Sequence, residues 1–115
     1  MFLYDDLMDT LKEHSNECVG IAANMIGVQK KAIIFKEEDG SYTVMFNPQI
    51  ISSSEETYTA QEGCLSLKGQ RKTRRYKSIE VLFLNKKFCQ RIRTLEGFTA
   101  QIVQHEIDHT QGILI

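Results

Sequence analysis

The stretch Gln104-His105-Glu106-Ile107-Asp108-His109-Thr110-Gln111-Gly112 places two histidines four residues apart, with a glutamate between them. On a helix, side chains at i and i+4 share a face, so both imidazoles can reach one metal ion. Glu106 lies about 100° further round the helix. That is a poor position for a third ligand and a good one for accepting a proton from water at the ion. The competing reading is a chance pattern on a solvated helix face. The chain holds only three histidines, and two of them fall here, which weighs against chance.

Two side chains hold a metal weakly, so a third donor is expected. A histidine six residues after His109 would stand at position 115, which is Ile115. The donor is therefore expected upstream. His14 sits among polar neighbours and reads as a surface residue. A cysteine thiolate is the better candidate for zinc or ferrous iron. Cys18 lies in the small apolar run Cys18-Val-Gly-Ile-Ala-Ala23, and Cys89 follows Phe88; both read as core. Cys64 follows Gly63, which lets the backbone come close. Spacing favours Cys64 only modestly over Cys18.

Glu62-Gly63-Cys64-Leu65-Ser66, together with the Gln104-to-Gly112 stretch, resembles the peptide deformylase family position by position. The likeness continues through Phe46-Asn47-Pro48-Gln49-Ile50 and from Cys18 to Val28. It implies one divalent ion held by Cys64, His105 and His109, with Glu106 as the acid/base. It also implies ferrous iron in the cell, with zinc or nickel in purified protein. The implied reaction is removal of the formyl group from the N-terminal formyl-methionine of newly made polypeptides. The Leu65 N–H would donate to the formyl oxygen, where charge develops. Gly20, Gly63 and Arg71 would lie beside the peptide, with Gly63 offering backbone hydrogen bonds as in strand addition. Ile26, Ile102 and Val103 are candidates for an apolar side-chain pocket, though each reads first as core.

The resemblance breaks in one motif. The family pattern Gly-x-Gly-x-Ala-Ala-x-Gln reads here Cys18-Val19-Gly20-Ile21-Ala22-Ala23-Asn24-Met25. Met25 stands where a glutamine would donate to the developing oxyanion, and a thioether has no donor. Losing one such donor costs about 10²–10³ in turnover. An alternative reading follows: a deformylase-like metal-binding protein with little or no turnover.

The elements that must position these residues read as α+β. Leu3, Leu7, Met8 and Leu11 recur at helical spacing, giving an N-terminal helix over roughly the first 16 residues. Lys31–Phe35 and Tyr42–Phe46 read as a hairpin; Pro48 marks a turn or strand edge, with a short strand over Gln49–Ser52. Ser78–Leu84 and Phe88–Thr94 form a second hairpin around Asn85-Lys86-Lys87. From Gly97 to Gln111 the pattern is helical, with an apolar stripe at Phe98, Ile102, Val103 and Ile107, and Gly112 as its stop. The expected architecture is antiparallel sheet packed around a C-terminal metal-binding helix.

The whole chain sets the outer limits. Its 115 residues suit one domain, spanning 1–115. A net charge of −1 gives no global pull toward nucleic acid or membrane. Three cysteines and an acidic N-terminus point to a cytoplasmic protein. Family members begin further upstream, so an exposed sheet edge and self-association are expected. Lys68, Arg71, Lys72, Arg74, Arg75 and Lys77 form a basic run. It reads either as a solvated hairpin face or as a contact for the peptide or, transiently, the ribosome.

Overall fold

In the computed structural model, residues 20–23, 31–64 and 67–111 are described, without the side chains of 63, 64 and 67–71. The expected N-terminal helix, Met25, Ile26, Leu65 and Gly112 lie outside the described residues.

Seven strands precede one helix: β1 (Gly20–Ala22), β2 (Ala32–Lys36), β3 (Tyr42–Ser53), β4 (Thr57–Cys64), β5 (Leu67–Tyr76), β6 (Ser78–Leu84), β7 (Gln90–Glu96) and α1 (Gly97–Thr110). They form a five-stranded antiparallel sheet in the order β1-β2-β3-β6-β7 and a separate two-stranded sheet, β4-β5. The α+β class and both expected hairpins are present.

Local sequence explains most of the main sheet. Ala32-Ile33-Ile34-Phe35 is buried on both faces, as suits a β-branched strand with neighbours on either side. Strand β6 alternates, burying Ile79, Val81 and Phe83 and leaving the residues between them half exposed. The β2–β3 turn closes with Gly40 at φ 90°, a conformation that costs glycine little. The β6–β7 turn is held by Asn85, whose Oδ1 accepts the amides of Lys87 at 2.9 Å and Cys89 at 3.0 Å.

Two expectations about this sheet need correction. Pro48 does not end a strand, and Gln49–Ser52 is not a strand of its own. Strand β3 runs unbroken through both, and its pairing with β6 slips between Phe46 and Gln49. Proline cannot donate to a ladder, so it sits at this irregularity, beside Asn47 at φ 49°. Cys89 is exposed rather than core, because it falls in the turn before β7 begins.

The core lies between the main sheet and α1: Ile33, Phe35, Met45, Ile79, Val81 and Leu95 pack with Ala100, Ile102, Val103 and Ile107. Each large apolar side chain buried there contributes about 1.5–3 kcal/mol. The helix is buried along Ile102 to Ile107 without a break, because β4–β5 covers the flank that the main sheet leaves open. Phe98 does not join the buried stripe. It is 58% exposed, and Ala100 fills the core position in that turn.

Candidate metal and acid–base site

Helix α1 brings His105 and His109 together as their spacing requires. Their Nε2 atoms are 2.9 Å apart and their ring centroids 4.5 Å apart at 78°. Both residues are buried.

The other nitrogen of His105 is fixed from outside the helix. Its Nδ1 meets Glu62 Oε1 at 2.8 Å. Burial opposes ionisation of Glu62, but the hydrogen bonds from His105 and Arg75 more than offset it and hold the carboxyl down to about 2. An ionised carboxylate only accepts, so His105 Nδ1 donates, and in the neutral imidazole Nε2 then keeps its lone pair for His109 or a cation. This is the arrangement in which a carboxylate orients a metal-binding imidazole.

Arg75 closes the network. Its Nε donates to both Glu62 oxygens at 3.0 and 2.9 Å, and its Nη2 to Oε1 at 2.6 Å. Its Nη1 reaches Asp108 Oδ2 at 2.6 Å. Arg75 is 4% exposed, so it is neither on a solvated face nor free to meet a peptide or the ribosome. In the basic run it was indistinguishable from its neighbours. Asp108 is a partner of Arg75, not a plain surface acid.

Glu106 is buried. Its carboxyl is pushed up to about 7, first by burial and further by the nearby Glu62 carboxylate, against the pull of His105 and Arg75. A carboxyl poised near neutrality suits proton transfer in both directions. Gly20 makes room for it: a Cβ on Gly20 would lie 2.9 Å from Ile102 Cγ2, 3.1 Å from Glu106 Cγ and 3.2 Å from Glu106 Oε2. Ile102 and Val103 are core residues.

The hairpin carries the remaining expected residues. Glu62 pairs with Arg71 and Cys64 with Leu67 across β4–β5, with an irregularity between Glu62 and Cys64. Cys64 thus ends the strand whose Glu62 touches His105. Among the described residues no cluster of three metal-type ligands forms, and the Cys64 side chain is outside them. Two further polar residues dock the hairpin. Gln104 Nε2 donates to Tyr76 O at 2.9 Å, and Gln104 Oε1 accepts from Tyr76 N at 2.8 Å. Tyr58 OH donates to Gln101 Oε1 at 3.1 Å.

The donor set fits a divalent ion. Two imidazole nitrogens converge in a buried setting, one of them oriented by a carboxylate, with a buried carboxyl alongside on the same helix.

Residues 2–115 match the family described as Polypeptide deformylase. The peptide deformylase of Clostridium beijerinckii is 49% identical over 100% of this chain and 83% of its own length. That of Fusobacterium nucleatum is 38% identical over 96% of this chain, which spans only 63% of that relative. A Met-Ala-Ser-bound class I type b peptide deformylase from Acinetobacter baumannii has TM-score 0.89 and 34% identity, covering 97% of this chain and 76% of that one. The chain belongs to the polypeptide deformylase family, metal-dependent hydrolases that remove the formyl group from nascent peptides.

Proposed function

We propose that this chain deformylates formyl-methionine peptides at a site made by Cys64, His105, His109 and Glu106. The observation that carries the reading is the pair of ring nitrogens 2.9 Å apart, with the raised carboxyl of Glu106 on the same helix. Cys64, His105 and His109 would hold one divalent ion, ferrous iron in the cell and zinc or nickel after purification. Such an ion supplies Lewis-acid chemistry, polarising the formyl carbonyl and acidifying water.

The protein's own groups do the rest. Glu106 takes the proton from the attacking water and hands it to the amine nitrogen as the formyl C–N bond breaks. Glu62 stands 2.8 Å from His105 Nδ1 and orients the ring. The Leu65 N–H would donate a hydrogen bond to the formyl oxygen, where negative charge builds. Gly63 and Arg71 meet the peptide. The relative bound to Met-Ala-Ser supports a substrate that begins with methionine. The alternative of a protein without turnover finds no support in the named relatives, and Met25 lies outside the described residues.

No described helix is long and apolar enough to cross a membrane. In our reading the setting is cytoplasmic, 1–115 is one domain, and the outward cations Lys72 and Arg74 are available for passing contact with a ribosome. Self-association would use a sheet edge, for which β1 and β7 are the ends of the described main sheet.

Replacing Glu106 by glutamine tests the assignment. Hydrolysis of a formyl-Met peptide by anaerobic, iron-loaded protein should fall by about 10²–10⁴, with metal content unchanged. Loss of the metal along with the activity would remove Glu106 from the acid/base role.

A further inference from the structure

We propose that Arg75 is the positioning residue of this site: by gripping Glu62 it fixes which nitrogen of His105 carries the proton. The inference rests on the reading that His105 is a metal ligand.

The geometry is specific. Arg75 offers only donors, in a rigid fork. Two of its nitrogens converge on Glu62 and the third goes to Asp108, 33 residues away on the helix. Glu62 Oε1 is the shared atom, taking Arg75 Nη2 at 2.6 Å and His105 Nδ1 at 2.8 Å. With both carboxylate oxygens tied by the fork, Oε1 has one position, and the Nδ1–H of His105 must meet it there. In the neutral ring that leaves Nε2 without a proton, 2.9 Å from His109 Nε2. The Asp108 contact fixes the guanidinium to the same helix that carries His105, so strand and imidazole move as one. A purely structural Arg75 would need none of this convergence; any satisfied ion pair would serve.

Lysine at this position would keep the charge but lose the fork, because an ammonium is a point donor that cannot span both oxygens and Asp108. Methionine would lose both. The metal-free Arg75→Lys and Arg75→Met proteins are compared with the parent by ring ¹⁵N NMR, and Zn²⁺ affinity is measured by chelator competition without oxygen.

The parent should show His105 as a single Nδ1–H tautomer. Arg75→Lys should stay folded, show mixed tautomers and bind Zn²⁺ about tenfold more weakly, with Arg75→Met toward the hundredfold end of the range for lost orienting partners. If Arg75→Met does not fold, Arg75→Lys decides alone. Unchanged tautomer, or Zn²⁺ affinity within twofold of the parent in Arg75→Lys, overturns the proposal. The tautomer is read without metal, so it fails independently of the ligand assignment. That assignment fails if His105→Ala leaves Zn²⁺ affinity unchanged.

Discussion

Gly20 and Glu106 show how one missing side chain can serve another residue's chemistry. The Glu106 carboxyl needs apolar surroundings to reach about 7, and Gly20 lets the β1 backbone close over it. The likeness to the family implies a place for Gly20 beside the substrate. The room it leaves for Ile102 and Glu106 gives it a second task, and the two tasks separate experimentally. In Gly20→Ala the new methyl collides with Ile102 and crowds Glu106, a kind of overpacking that costs about 1–3 kcal/mol. We expect a lower melting temperature and a lower kcat with KM nearly unchanged, measured by thermal unfolding and steady-state kinetics. A raised KM at constant kcat would return Gly20 to substrate contact alone.

At the scale of elements, the β4–β5 hairpin is attached to α1 largely by polar ties. Gln104 imitates a neighbouring strand, giving and taking one hydrogen bond with the backbone of Tyr76. Gln104→Leu leaves that backbone pair to find water, at about 1–3 kcal/mol. The amide of Tyr76 should then exchange with deuterium markedly faster, while amides in β2 and β3 keep their protection. Equal acceleration everywhere would mean that the hairpin and main sheet open as a single unit. This hairpin is also where sequence reading ended. Strands β2 and β6 announce themselves through β-branched runs and alternation, and α1 through its histidine and apolar spacing. Thr57–Cys64 and Leu67–Tyr76 carry too few apolar residues to show a period, because the flank they cover is polar. The pairing of Arg75 with Glu62 and Asp108 was therefore illegible: burial, not residue type, separates Arg75 from the exposed Arg74 beside it. The paired histidines were legible because their chemistry demands a spacing, whereas Cys64 was singled out by the resemblance and not by spacing. Phe98 was misread because helical period alone does not say where the core ends.

For the molecule as a whole, two buried carboxyls set opposite pH limits on the metal-free protein. Glu62 is held at about 2 against an ordinary 4.5. Its contribution to stability is complete above 4.5 and is lost as pH falls through about 2. Glu106 is raised from 4.5 to about 7, so between those values the folded chain keeps a proton that the unfolded chain has released. Stability therefore declines as pH rises across that window. Each limb is on the order of 3 kcal/mol, and urea unfolding of metal-free protein should find its maximum near the ordinary carboxylate value. A steady rise in stability from pH 4 to pH 7 would show that Glu106 is not held protonated by the fold.

The order of elements also has a consequence for biosynthesis. Glu62 precedes the helix by strands β5, β6 and β7, and His105, Glu106 and His109 are among the final turns of α1. A chain emerging residue by residue from a ribosome would expose Gly20, β1 and the strand bearing Glu62 long before the imidazoles arrive. The paired imidazoles and Glu106 therefore cannot meet Glu62 until α1 itself has emerged.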